Sequence, residues 1–443
     1  VAQTTYLRYD RHKIPIKVPD HAEVLHALGC SPLPNPAAAV REALASPIGS
    51  KPLAHLLRER NPEGVVITIS DITRPVPNRL LVGALLDVLH SAGVSDSQIT
   101  VLIATGLHRP STPEEKVELL GPDIAGKLRV VDHRSDRSED LAQLPNTTRF
   151  GTRAWVNRLY MEADYRIVTG FIEPHFMAGF SGGRKGVCPG IVNMETVQKF
   201  HGFEFLNSPC ATNFCLDGNP LHEEATDVAE MAGIGFLLNV GLTEDKQVAG
   251  VFAGNWREAF EVGARKVKEW TAAPCSEQKD VVVTCGGGYP LDKTLYQSGK
   301  GMCSSLPVVK VGGVVICASA CSEGLGSPSF SRIMNEWGER WEEFLDWIRN
   351  SDEVIHDQWG FQMHCKVLQR VGVRNLLFAC GGIPREDLRR MSLTPIYEPI
   401  PHVDEVEGIR RALQTQIDHL WDRSMAVIPE GPYVVPVVQE AFA

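Results

Sequence analysis

The sequence predicts an α/β protein of two domains with mostly parallel sheets. Three observations lead there. The chain has 443 residues, which at ~150 residues per domain suggests two or three domains. Short apolar runs alternate with segments of helical period, the pattern of strands joined by crossover helices. A short polar, Pro-containing stretch at 271–278 separates two such patterns. The predicted domains are therefore 1–270 and 279–443, with the active site expected in a cleft between them.

The first pattern opens with Val65-Val66-Ile67-Thr68-Ile69, Thr100-Val101-Leu102-Ile103 and Tyr165-Arg166-Ile167-Val168. Such β-branched runs suit strands buried on both faces. Residues 78–90 place Leu80, Leu81, Leu85, Leu86 and Leu89 at helical spacing, and Gly93 stops the helix. Residues 254–270 read as another helix. In the second pattern the strands are Val281-Val282-Val283-Thr284, Val314-Val315-Ile316-Cys317 and Leu376-Leu377-Phe378-Ala379. Residues 330–370 read as helices rich in Trp and Glu, and 433–438 as a late strand.

Composition excludes several classes of function. Lys plus Arg is 44 and Asp plus Glu is 54, for a net charge of −10. A general nucleic-acid or anionic-membrane binder needs a basic surface instead. No stretch reaches the roughly 18–20 apolar residues that cross a membrane, and residues 1–20 are too charged for a signal peptide. Eleven cysteines, with no CxxC pair, read as buried thiols of a reducing cytoplasm.

Ligands of open α/β sheets bind beyond the carboxyl ends of the strands. Three N-terminal strands run into reactive residues there: Ser70-Asp71-Ile72-Thr73-Arg74, then Thr105-Gly106-Leu107-His108-Arg109, then Glu173-Pro174-His175. If these strands are parallel and adjacent, Asp71, Arg74, His108 and His175 converge. Two imidazoles supply an acid and a base near neutral pH, and a guanidinium offers a fork for a carboxylate or phosphate. The string Gly182-Gly183-Arg184-Lys185 follows. Paired glycines let backbone N–H groups approach an anion, and a lysine there can bond covalently to a carbonyl group. His201 is a possible metal ligand. In the second domain, Tyr296, Gln297 and Lys300 offer a phenol, an amide and an ammonium. Each has a plainer reading: Asp71 and Thr73 as a helix cap, the glycines as a turn, Lys185 as a solvated cation, Tyr296 and Trp359 as packing aromatics.

Taken together, SDITRPVP (70–77), ATGLHRP (104–110), EPHFMAGFSGGRKGVCPG (173–190), HG (201–202), GNPLHEE (218–224) and YQSGKG (296–301) resemble the nickel-dependent lactate racemase family. The resemblance implies a 2-hydroxyacid racemase or epimerase, an isomerase that moves hydride reversibly to a nickel-pincer nucleotide. This cofactor is a pyridinium-3-thioamide-5-thiocarboxylic acid mononucleotide with a nickel–carbon bond. It would be attached to Lys185, with His201 as the protein ligand to nickel. His108 and His175 would be the acid/base pair, one on each face of the substrate. Asp71 would orient a histidine or bind the cofactor, and Gly182, Gly183 and Arg184 would lie near the cofactor. Arg74, Gln297 and Lys300 would hold the substrate carboxylate, with Tyr296 and Trp359 lining the pocket. The implied partners are a small 2-hydroxy acid and separate cofactor-building enzymes.

Lactate and malate stay close at this level. Malate needs another cation, for which Arg109 and Arg184 are the candidates. Three rivals from other classes were weighed. A zinc hydrolase would use His108, His175 and His201 together. An NAD-dependent dehydrogenase would need a GxGxxG that Gly286-Gly287-Gly288 does not supply. A carboxylate-binding protein without turnover would not need the Lys185, His201, His108 and His175 set.

Overall fold

Val65-Val66-Ile67-Thr68-Ile69 carries bulky side chains on both faces, and burial on both sides puts it inside a sheet. The computed structural model describes residues 2–351 and 353–439. In it, strand Val65–Ser70 lies between Tyr165–Ile172 and Ile99–Ala104, parallel to both. The full order of this six-stranded sheet is Val248–Gly254, Phe236–Leu242, Tyr165–Ile172, Val65–Ser70, Ile99–Ala104, Arg129–Asp132. Only the Val248–Gly254 edge is antiparallel. Helix Asn78–Ser91 buries Leu81, Val82, Leu85 and Leu89 in a core shared with Ile67, Val101 and Ile167. A fully buried leucine contributes roughly 1.5–3 kcal/mol.

A second six-stranded sheet has the order Thr394–Pro395, Leu376–Ala379, Val309–Ala318, Lys279–Cys285, Met425–Val427, Glu23–Val24, all parallel. The expected helices of the 330–370 region are Pro328–Trp337, Trp341–Arg349 and Gln358–Val371.

The chain divides into two compact units: residues 29–201 with 208–269, and residues 2–28 with 202–207 and 270–439. The division therefore differs from the linear split at 1–270 and 279–443. The first residues form a hairpin, Ala2–Tyr9 with His12–Pro19. Its inner face, Leu7, Tyr9, Ile14, Ile16 and Val18, is buried with Val281, Val283 and Ile316. Glu23–Val24 then adds an edge strand beside Met425–Val427. The polar stretch at 271–278 also differs from expectation. Ala272–Cys275 is a strand, paired in parallel with Val435–Val438. Among the described residues, no helix is long and apolar enough to cross a membrane.

Candidate active site

The sheet order brings the three reactive segments to one edge. Strands Tyr165–Ile172, Val65–Ser70 and Ile99–Ala104 are neighbours and parallel, so Asp71, Arg74, His108 and His175 all follow carboxyl ends of adjacent strands. Asp71 is 5% exposed. His108 Nδ1 donates to its Oδ2 at 2.6 Å, and Thr73 Oγ1 donates to its Oδ1, also at 2.6 Å. Burial alone raises the Asp71 carboxyl. The hydrogen bonds from His108 and Thr73 outweigh it and hold Asp71 below the usual carboxylate value. An ionised Asp71 fixes the His108 proton on Nδ1 and leaves the lone pair on Nε2. The His108 side chain is 48% exposed, so that nitrogen is a base within reach of solvent.

His175 has the opposite arrangement. Its Nδ1 accepts from the backbone N–H groups of Met177 at 3.3 Å and Ala178 at 3.2 Å. The neutral ring then carries its proton on Nε2, 3.4 Å from Lys185 Nζ. Burial pushes the Lys185 amine down to about 7, helped by the charges of Arg184 and Arg74. Arg74 also acts on Asp71, so one exposed guanidinium influences both pairs. The His201 Nδ1 faces the Val197 carbonyl at 2.8 Å. Donation there leaves the lone pair on Nε2, the arrangement of a metal-binding imidazole.

The glycines and Arg184 are held by close packing. Gly183 N–H is already used: it donates to Asn239 Oδ1 at 2.7 Å. A Cβ on Gly182 would lie 2.7 Å from the Phe171 carbonyl, and one on Gly183 2.6 Å from the Phe260 ring. Close packing explains this glycine pair. Arg184 is 0% exposed, lies over the Phe260 ring, and donates to the carbonyls of Ala178 and Gly182. It braces the loop that presents Lys185 and does not open toward a ligand. Arg109 is also committed, to a two-pronged ion pair with Glu115 at 2.6 and 2.8 Å.

Three further residues hold this site. Thr73, in the segment that the sequence also offers as a helix cap, donates to Asp71. Asn239 interrupts an otherwise apolar strand and pins Gly183; a buried amide in such a run is itself the signal. Asn219 caps helix Pro220–Ala232, and its amide donates to the Met177 carbonyl, beside the turn that holds His175. This gives GNPLHEE a structural meaning.

The second unit carries the remaining candidates. Tyr296, Gln297 and Lys300 lie on helix Leu295–Cys303, capped by Thr294, whose side chain accepts from Gln297 N. Trp359 Nε1 donates to Tyr296 Oη at 2.9 Å, so these two aromatics are locked together. Gln297 Oε1 is buried and unpartnered. Among the described residues, no group of three or more His, Cys, Asp or Glu side chains is placed to hold a metal ion. The ligand trio that a zinc hydrolase needs is therefore not formed by His108, His175 and His201.

Comparison with known proteins gives this geometry a family. The sequence profile of the lactate racemase N-terminal domain matches residues 9–213, and that of the lactate racemase C-terminal domain matches 275–436. The chain belongs to the lactate racemase family. It is 38% identical over 398 residues to the lactate racemase of Thermoanaerobacterium thermosaccharolyticum, covering 89% of each chain. It is 39% identical over 334 residues to that of Lactiplantibacillus plantarum, covering 74% of this chain and 77% of the relative. Among solved structures, the lactate racemase apoprotein from T. thermosaccharolyticum superposes with a TM-score of 0.85 at 31% identity, over 98% of this chain and all of that one. A Thermotoga maritima protein shares the fold, with a TM-score of 0.64 at 19% identity over 93% of this chain and all of that one. Membership of the lactate racemase family makes this chain an isomerase built on two α/β domains.

Proposed function

We propose that the chain racemises a short 2-hydroxy acid, lactate or a close relative, by reversible hydride transfer, with His108 and His175 serving the substrate oxygen. The single observation that carries this reading is the pair of histidines held in complementary proton states, His108 by Asp71 and His175 by backbone N–H groups beside Lys185.

The residues fit a nickel-pincer nucleotide. Burial lowers the Lys185 amine to about 7, which favours the neutral, nucleophilic form needed for a covalent link. His201 offers an imidazole nitrogen, and among the described residues it belongs to no group of three or more His, Cys, Asp or Glu placed to hold a metal. That suits a metal that arrives with soft sulfur ligands on an organic group. When bound, the nucleotide supplies an acceptor for the substrate's α-hydrogen as hydride and returns it to either face.

The chain's own residues do the rest. Removing that hydrogen as a proton would leave a carbanion beside a carboxylate, which is poorly stabilised. Taking the proton from the hydroxyl instead needs a base, and His108 Nε2 is one. Asp71 stabilises the imidazolium that forms. His175 Nε2–H donates a hydrogen bond to the carbonyl oxygen, and the His108 imidazolium returns its proton to that oxygen when the hydrogen comes back to carbon. Arg74 holds the substrate carboxylate. In this proposal the Lys300 ammonium and the Gln297 amide N–H serve the same carboxylate, and Tyr296 and Trp359 line the pocket. Gly182, Gly183 and Arg184 serve the cofactor indirectly, by fixing the Lys185 loop.

The substrate reading favours one carboxylate over two. Malate racemisation calls for a further cation, and both candidates, Arg109 and Arg184, are already committed. Loading of Lys185 depends on cofactor-building enzymes. The free thiols, all eleven of the cysteines, suit a reducing cytoplasm.

The test is chiral chromatography of cofactor-loaded protein incubated with single enantiomers of lactate, malate and longer 2-hydroxy acids, with loading verified by the mass of the Lys185 peptide. Lactate is expected to lose enantiomeric purity and malate to keep it. Lys185→Ala is expected to carry no adduct. A loaded enzyme that leaves every 2-hydroxy acid unchanged overturns the reading, and one that racemises malate alone overturns the substrate choice.

A further inference from the structure

The carboxyl end of the C-terminal sheet holds a second reactive cluster, outside the proposed racemase chemistry. Strands Val309–Ala318 and Leu376–Ala379 are parallel neighbours, with Ala318 opposite Ala379. Just past their ends come Cys321 and Cys380, 0% and 4% exposed. The two thiols are near enough to affect each other's ionisation. The loops that carry them meet closely. Gly382 N donates to the Ala320 carbonyl at 2.9 Å, and the Cys380 thiol faces the same carbonyl at 3.6 Å. A Cβ on Gly382 would lie 2.1 Å from the Cys321 carbonyl oxygen. Cys321 itself adopts a left-handed φ of 48°, a turn that non-glycine residues seldom take without a structural reason.

The surroundings of Cys321 are polar. Ser319 Oγ lies 3.5 Å and Ser298 Oγ 3.9 Å from its sulfur, and the two hydroxyls are 2.5 Å apart. Burial pushes Cys317 and Cys365 well above the ordinary thiol value. Burial raises Cys321 too, but hydrogen bonds from Cys380, Ser319 and Ser298 outweigh it and hold the thiol below that value. Two thiols on loops that meet, one of them set among hydroxyls, are placed to form a disulfide pair.

We propose that Cys321 and Cys380 are a modification site that closes to a reversible disulfide with hydrogen peroxide. The Cys321 thiolate attacks one peroxide oxygen, breaking the O–O bond to give a sulfenic acid and hydroxide, which takes up the proton lost by the thiol. Cys380 sulfur then attacks the sulfenic sulfur, forming the S–S bond and releasing water. Two thiols are oxidised by two electrons, and one peroxide is reduced to two waters. A small-molecule dithiol reverses the change by thiol–disulfide exchange.

The position gives the bond a mechanical consequence. Cys321 N donates to the Asp292 carbonyl at 2.8 Å, Leu295 N to the Gly324 carbonyl at 2.9 Å, and Tyr296 N to the Leu325 carbonyl at 3.0 Å. The loop 321–325 thus holds the start of the helix that carries Tyr296, Gln297 and Lys300. An effect on turnover rests on the proposed function; the disulfide itself does not.

The experiment uses the unmodified full chain and needs neither cofactor nor substrate. Protein is treated with hydrogen peroxide, denatured, alkylated, digested without reductant and read by mass spectrometry. The expected result is a linked pair of peptides containing Cys321 and Cys380, two hydrogens lighter than the sum of the reduced peptides and lost on treatment with dithiothreitol. Amide exchange at Leu295 and Tyr296 is expected to slow several-fold in the oxidised form. Recovery of Cys321 and Cys380 as alkylated thiols, while the half-buried Cys30, Cys210 and Cys215 are oxidised, overturns the proposal. Formation of the link without any change in exchange at Leu295 and Tyr296 overturns its coupling to the helix.

Discussion

Asp71 sets the proton state of His108 through a 2.6 Å hydrogen bond, and that bond carries the most direct prediction at the scale of a residue. Asp71→Asn keeps the size of the side chain and removes the charge that stabilises an imidazolium. Turnover of the loaded enzyme is expected to fall by ~10²–10⁴, with the Lys185 adduct and bound nickel unchanged. Turnover within about threefold of the parent would show that His108 needs no charged partner, contrary to general-base catalysis supported by Asp71. The histidines, Asp71 and Lys185 were legible in the sequence because each follows a strand-like run or a glycine pair. Their supports were not. Asn219 and Asn239 act through hydrogen bonds to atoms 42 and 56 positions away, and no local period reports such pairs. Arg184 was legible as a cation but not as a buried one, since only the fold shows that it faces Phe260 and two carbonyls.

At the scale of an element, the short turn Gly183–Gly186 is shaped by what it packs against. Gly183 has a φ of 55°, and a Cβ there would meet the Phe260 ring at 2.6 Å. Gly183→Ala is therefore expected to cost about 1–3 kcal/mol by overpacking and a further ~1 kcal/mol for the left-handed backbone. Urea unfolding measures the loss, and Lys185 labelling is expected to rise as its loop loosens. A change within about 0.5 kcal/mol, typical of a plain surface site, would show that the turn has room that the packing denies. Helix Trp256–Thr271 followed directly from its apolar spacing. Strand Ala272–Cys275 did not, because two alanines, a proline and a cysteine become a strand only when Val435–Val438 comes alongside. Strand propensity is a statement about neighbours as much as about residues.

Two folded units make the whole molecule, and the first residues belong with the last. The hairpin Ala2–Tyr9 and His12–Pro19 shows apolar alternation in the sequence, but alternation names a buried face without naming what buries it. Each unit also carries a buried neutral histidine, and these predict how the molecule responds to acid. His133 is 1% exposed, with Nε2 facing the Val192 carbonyl at 2.9 Å. His364 is 2% exposed on helix Gln358–Val371. Burial lowers both to about 4. The unfolded chain takes up these protons first, near the ordinary histidine value of about 6.5. As pH falls through that value the unfolded state binds more protons than the folded one, so stability drops until the folded histidines also titrate near 4. Each histidine contributes a loss approaching ~1.4 kcal/mol per pH unit within that window. Thermal unfolding followed from pH 7.5 down to 5 should show the midpoint descending below pH 6.5. His133→Gln, which cannot be protonated, should flatten the descent for residues 29–201 and leave that of His364 in place. Equal slopes in the parent and the variant would mean that His133 is hydrated in the folded state, and that its burial does not govern the acid limit of that unit.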